Sequence, residues 1–102
     1  MLEISYWKVV EGREADLDTG AKAFKKFCNE NLDATFDWGY VLTGKHVGDF
    51  YALIQWKSHE AYGKWQDSSH LNKEYQSWVE TVFVKNGPPD HLVDLELIQM
   101  RG

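Results

Sequence analysis

Two hydrophobic periods follow one another along this chain, and their order leaves few topologies open. Alternation of period two, which is typical of strands, occurs in residues 2–10, 35–44, 50–56 and 91–100. Apolar residues recur at helical spacing between the first and second of these segments, and again between the third and fourth. The order β-α-β-β-α-β predicts an α+β ferredoxin-like fold, with one antiparallel sheet and the helices on one face.

The first helical segment, residues 13–31, places its apolar residues on one stripe. The stripe consists of Leu17, Ala21, Phe24, Phe27 and Cys28. Because Cys28 lies on this stripe, we expect it to be a small buried hydrophobe rather than a nucleophile.

The second helical region is predicted to be broken into two helices. Ser58 is a suitable N-cap for a short helix, and Ser68 or Ser69 can cap a longer one. The segment "KNGPPD" is expected to end the longer helix, because prolines cannot continue it. Its apolar stripe is predicted to comprise Leu71, Tyr75, Trp78, Val79 and Val82.

Length and charge limit the class of protein. A chain of 102 residues is expected to form a single domain, residues 1–102. Its net charge of −5 argues against nucleic-acid binding, which needs clustered Lys and Arg. No apolar run approaches the ~20 residues of a membrane span, and the single Cys28 cannot form an intramolecular disulfide. We therefore expect a cytoplasmic protein with no membrane partner.

The strands predict a partner for the sheet. The first three strands carry apolar side chains on both faces, whereas two layers would leave one sheet face uncovered. An exposed face of Trp, Tyr and Leu would exceed the apolar patch that a monomer usually shows. The sequence therefore predicts a homodimer that packs sheet against sheet with two-fold symmetry.

The segment "ALIQWKSHEAYGKWQDSSHLNKEY" resembles the strand-to-helix signature of the antibiotic biosynthesis monooxygenase-like (ABM) domains, which are dimeric α/β barrels. The similar features are Trp56 at the strand end, Ser58, the Glu60-Ala61 pair, Trp65 and a following serine at Ser68. The family contains cofactor-independent oxygenases of aromatic compounds, haem-degrading enzymes, and members without an assigned reaction. The resemblance implies the barrel dimer, and an oxygenase is one expectation among these.

The haem-degrading branch of the family has a three-residue pattern that this chain matches only in part. The branch has an Asn on the first strand, a Trp on the short helix, and an iron-binding His ten residues later. Here Trp65 matches the Trp, but Tyr75 stands at the His position and Trp7 where the Asn is needed. His70 falls on another helix face, although a tyrosinate can also bind ferric haem.

The remaining motifs give little support to other chemistry. "HEAYG" begins like a zinc motif but ends in Gly63, so the second histidine ligand is missing. The four histidines, His46, His59, His70 and His91, show no metal-ligand spacing, and each is expected to be exposed to solvent. No nucleotide fingerprint occurs, and no cofactor or metal is expected.

The aromatic residues suggest a flat-walled cleft between sheet and helices that suits a planar ligand. The leading hypothesis is a cofactor-independent oxygenase of a small phenol or quinol, with Trp65 and Tyr75 orienting the substrate and Trp38 or Tyr51 lining the pocket. His70 or His46 would then handle the proton. The alternatives are a non-catalytic ligand-binding or sensing dimer and a haem-binding member. Each of these aromatic residues also has a simpler explanation as core or interface.

Overall fold

A computed structural model describes residues 1–84 and 92–101. Its elements, in chain order, are β1 (Leu2–Trp7), α1 (Glu14–Asn31), β2 (Ala34–Tyr40), β3 (Phe50–Trp56), α2 (His59–Ser68), α3 (Lys73–Val82) and β4 (Leu92–Ile98). The four strands form one antiparallel sheet in the order β2-β3-β1-β4. This α+β architecture confirms the predicted element order and is compatible with a ferredoxin-like fold. Within the described ranges, no helix has the length and apolarity needed to cross a membrane.

Three strands are shorter than the hydrophobic alternation predicts, and one of them is β4, which ends at Ile98 rather than at residue 100. Strand β1 ends at Trp7, after which Val9 forms an isolated bridge with Phe83 and the chain turns at Gly12 with φ of +85°. Strand β2 ends at Tyr40 rather than at residue 44, and Leu42 is exposed. Hydrophobic alternation therefore does not mark where a strand ends.

The helix caps agree with the prediction in one place and differ in another. Ser58 caps α2, because its Oγ accepts a hydrogen bond from the backbone N–H of Ala61 at 3.1 Å. The cap of α3 is Asn72, whose Oδ1 accepts from the Tyr75 N–H at 2.9 Å, so the predicted serine cap is wrong. Leu71 precedes the helix, is 71% exposed and does not belong to the buried stripe. The predicted stop "KNGPPD" and His91 lie outside the described residues.

Helix α1 packs its predicted stripe against the sheet. Leu17, Ala21, Phe24 and Cys28 are buried, and Phe24 meets the Phe36 ring of β2 edge-on at 5.0 Å. Burial raises the pKa of the Cys28 thiol to about 12. The thiol therefore stays protonated at neutral pH and serves as core, as predicted.

Strand β1 turns its polar side chains toward the helices. Glu3 and Ser5 are only 8% and 5% exposed, and their partners on β3 are Ile54 and Ala52 of the helix-covered face. Directly paired residues of antiparallel strands project to the same side. Leu2, Ile4 and Tyr6 of β1 therefore lie half-buried on the opposite face, whereas Trp7 shares the helix-covered face with Glu3 and Ser5.

Candidate functional site

A cavity of about 300 Å³ lies between the sheet and the helices. All four strands and all three helices contribute to its lining, and most of the lining side chains are apolar. The volume is at the lower end of the range for small-molecule pockets. Two lining residues with exposed side chains, Gln66 of α2 and Leu95 of β4, mark where the cavity reaches solvent.

Each helix supplies at least one aromatic ring to a common cluster on the cavity wall. The Trp65 ring of α2 and the Tyr75 ring of α3 meet at 5.1 Å between centroids, with an interplanar angle of 76°. Phe24 of α1 lies 5.6 Å from Trp65 and 5.1 Å from Tyr75. Aromatic rings in edge-to-face and tilted pairs hold one another in place. The wall therefore consists of aromatic rings that pack against one another at several angles.

Strand β1 forms a polar floor beneath this wall. The Trp56 Nε1 group donates a hydrogen bond to Glu3 Oε1 at 3.0 Å, and the Trp7 Nε1 group donates to Ser5 Oγ at 2.8 Å. Burial raises the pKa of the Glu3 carboxyl above its ordinary value, and the bond from Trp56 opposes that shift only in part. Glu3 is thus the one buried carboxyl group among the described residues that line the cavity.

Two tyrosines respond to the charge of Glu3. Burial raises the pKa of Tyr75 far above its usual range, and the negative charge of Glu3 raises it further. The pKa of Tyr62 is raised by the same two causes, although Tyr62 does not line the cavity. Tyr75 is therefore a neutral phenol at physiological pH and can donate a hydrogen bond from its hydroxyl group.

The structure brings two of the six predicted site residues to the cavity, Trp65 and Tyr75. His70 lies in the 3₁₀ turn Ser69–Leu71, is exposed, and does not line the cavity. Trp38 is held elsewhere on the helix side, where its ring stacks with Phe36 at 5.7 Å and its Nε1 lies 3.4 Å from Asp18 Oδ1.

The other two predicted residues, His46 and Tyr51, lie on the open face of the sheet. They line a second, shallower concavity of about 530 Å³, together with Tyr6. His46 stacks on Tyr6 at 3.9 Å with an interplanar angle of 12°, and its Nε2 lies 3.1 Å from Asp94 Oδ2. The expectation that His46 is fully exposed is wrong, because these two contacts leave its side chain 13% accessible. A pocket that unites all six predicted residues does not form.

The sequence patterns overlooked Glu3 and Ser5. The signal was present, because both residues alternate with Leu2, Ile4 and Tyr6 and so lie on the other face of the strand, together with Trp7. Polar side chains of a strand ordinarily face solvent, and Glu3 and Ser5 belong to a site only because the helices cover their face of the sheet.

The donor set of the cavity does not fit haem. Iron would need a tyrosinate at Tyr75, whereas burial and the nearby Glu3 charge both raise the pKa of that phenol. In the part of the chain that the structure describes, no group of three or more His, Cys, Asp or Glu could hold a metal ion.

Comparison with known proteins adds no identification. No protein-family model matches the chain, and no curated protein or solved structure does so either. The similarity to ABM domains therefore rests on the strand-to-helix motif and remains a prediction.

Proposed function

We propose that this protein binds a small planar aromatic molecule in the helix–sheet cavity and oxygenates it without a cofactor. The observation that carries the proposal is the aromatic wall, where rings from three helices enclose a mostly apolar space above a polar floor. A planar phenol or quinol complements both parts, since its ring packs on the wall and its hydroxyl groups reach the floor.

The proposed reaction uses the substrate as its own reductant. An ionised phenol or quinol transfers an electron to O₂, and the protein contributes a dry pocket and hydrogen bonds to the developing anion. Tyr75 suits the second task because its hydroxyl group stays protonated. None of His46, His59 and His70 lines the cavity, so the Glu3 carboxylate is the group that accepts the substrate proton. The aryloxyl radical and superoxide then combine to a ring peroxide, which regains this proton and loses water to leave the oxygenated quinone.

The second candidate function is non-catalytic binding or sensing of the same ligand. It is favoured by the absence of an acid–base pair among the described cavity residues, where Glu3 is bonded to Trp56 rather than to a histidine.

We also propose that a second copy of the chain covers the open sheet face and closes an α/β barrel. The centre of that face consists of half-buried apolar side chains, namely Leu2, Ile4, Tyr6, Tyr51 and Leu53. Polar residues of the edge strands, Asp37 on β2 and Glu96 on β4, surround them. An apolar centre with a polar rim is the usual organisation of a subunit interface.

Oxygen uptake with a panel of quinols and anthrones tests the catalytic proposal. We expect uptake above the buffer rate for at least one compound, together with a change in tryptophan fluorescence on binding. The Tyr75→Phe variant should keep binding and lose most of the rate, because the ring stays and the hydroxyl group is removed. Binding without any uptake would favour the sensing alternative.

Tyr62→Phe is the matched control for that variant. Tyr62 also lies within the influence of the Glu3 charge, but it packs against Trp56 outside the cavity. Its loss of a hydroxyl group should leave the rate unchanged. If both variants lose the rate equally, the effect of Tyr75 does not arise from contact with the substrate.

A further inference from the structure

Glu3 is a buried carboxyl group whose oxygens accept fewer hydrogen bonds from the described side chains than they could. Its side chain lines the cavity, the residue is 8% exposed, and Trp56 Nε1 is its one side-chain hydrogen-bond donor within the described ranges. A buried carboxylate has room for about four hydrogen bonds on its two oxygens. Oε2 therefore has acceptor capacity that the described side chains leave unused.

Among the described residues that line the cavity, no cation offsets the charge of Glu3. The cavity residues that the structure describes include no Lys, Arg or His. Apart from Trp56, no described side chain forms a hydrogen bond with Glu3, and its negative charge raises the pKa of both Tyr62 and Tyr75. Burying a carboxylate without a counter-charge is costly unless a donor completes its hydrogen bonds.

We infer that Glu3 selects the ligand, by accepting a hydrogen bond from a ring hydroxyl group of a planar aromatic molecule and rejecting aromatic carboxylates. This inference rests on the proposed ligand cavity but not on the proposed oxygenation. It narrows the ligand class to neutral phenols and quinols. Glu3 is thus a specificity-determining residue at the polar end of the cavity.

The selection follows from the charge and burial of Glu3. A hydrogen bond to a charged acceptor is stronger than one between neutral groups, so a ring hydroxyl group gains affinity there. An ether oxygen at the same position displaces water from the carboxylate but has no hydrogen to donate, so the carboxylate loses a hydrogen bond. A ligand carboxylate would bring a second negative charge into a space of low dielectric, where like charges repel strongly.

Three naphthalene probes test the inference on the full, unmodified chain. Calorimetric titration would compare 2-naphthol, 2-methoxynaphthalene and 2-naphthoate, which share a ring system and differ in the group offered to Glu3. We expect 2-naphthol to bind at least about tenfold more tightly than the ether, and the acid to bind most weakly. Equal affinities, or tightest binding of the acid, would overturn the inference without any mutation.

The Glu3→Gln variant assigns the preference to this residue. In this variant the amide oxygen can still accept the hydrogen bond from Trp56 Nε1. The amide NH₂ group replaces the second carboxylate oxygen, so a donor stands where the ligand would have met an acceptor. The tenfold preference for 2-naphthol over the ether should therefore disappear or reverse. Glu80→Gln is the matched control, because it removes the same charge from an exposed position on α3 and should leave the preference intact. An unchanged preference in Glu3→Gln would overturn the assignment.

Parallel oxygen-uptake assays separate this inference from the proposed function. A probe preference that depends on Glu3, without oxidation of any quinol, would leave the inference standing and remove the oxygenase proposal. Quinol oxidation with the same probe preference in wild type and Glu3→Gln would support the oxygenase proposal and overturn the inference about Glu3. Failure of all three probes to bind would overturn the inference together with the cavity as an aromatic site.

Discussion

The helix-covered face and the open face of the sheet differ most on β1. On β3 the covered face is apolar, with Phe50, Ala52, Ile54 and Trp56 buried. On neighbouring β1 the covered face carries Glu3 and Ser5 beside Trp7, and Leu2, Ile4 and Tyr6 point to the open face. A two-layer protein ordinarily has the reverse arrangement, with polar residues outside.

Because of this difference, we assign one role to each face of the sheet: a ligand cavity to the covered face and a subunit interface to the open face. The reversed strand gives the covered face a cavity with a polar floor, and it gives the open face an apolar centre suited to a second copy. One strand therefore contributes to both the proposed ligand site and the proposed interface. The predictions below test each face against the other.

The largest expected effect is on stability, from truncating a covered residue of β3. Trp56→Ala should lower the free energy of unfolding by about 3–5 kcal/mol, because it empties a buried site and removes the donor to Glu3. Leu53→Ala, on the open face of the same strand, should cost about 1 kcal/mol in the monomer. Urea unfolding of both variants measures the contrast. Equal costs under monomeric conditions would contradict it.

The next effect concerns the open face alone. Leu53→Asp should weaken self-association by several kcal/mol, because it places a charge in the apolar centre of both copies. Sedimentation velocity at micromolar concentration should then detect the wild type as a dimer and the variant as a monomer. Ser77→Asp adds the same charge at an exposed position on α3 and should remain dimeric. A monomeric wild type would end the interface proposal.

A smaller effect tests how closely the helical layer is packed. A Cβ atom at Gly20 of α1 would lie 2.2 Å from the Trp78 ring of α3, whereas one at Gly63 of α2 would have no neighbour within 4 Å. Gly20→Ala should therefore destabilise the fold by about 1–2 kcal/mol despite its better helix propensity. Gly63→Ala should stabilise it by about 0.5–1 kcal/mol. If the thermal unfolding temperature rose for Gly20→Ala as well as for Gly63→Ala, the packing between α1 and α3 would be looser than the structure indicates.

The smallest expected effect is the pH dependence contributed by Glu3. Its pKa in the folded state is raised above the ordinary value of 4.5, so the folded chain holds this proton more tightly than the unfolded chain does. Its contribution to stability is therefore greatest in acid and is lost as the pH rises through the raised pKa. Glu3→Gln should unfold at a higher temperature than wild type at neutral pH, and the difference should shrink toward about pH 4.

Exposed Glu80→Gln provides the comparison for that titration. Its difference from wild type should change little over the same pH range, because the carboxyl group is exposed in both the folded and unfolded chains. If the difference in unfolding temperature between Glu3→Gln and wild type were equally independent of pH, burial would not perturb the pKa of Glu3.

Local sequence patterns were sufficient for the elements and for part of the cavity. The α1 stripe, the two faces of β3 and the Ser58 cap follow from spacing and capping chemistry, which depend on neighbours in the chain. Trp65 and Tyr75 were found for the same reason, since both lie on the buried sides of their helices. The α3 cap was missed because three suitable residues, Ser68, Ser69 and Asn72, stand close together.

The sequence by itself determined which side chains of β1 share a face, because alternation is fixed by the pleat of the strand. Only the tertiary structure decided which face the helices cover, and this placed Glu3 at the floor of the cavity. The same holds for His46, which the segment between β2 and β3 carries to the open face, against Tyr6 and Asp94. Period two separates the residues of a strand into two sets, but packing with distant elements decides which set is buried.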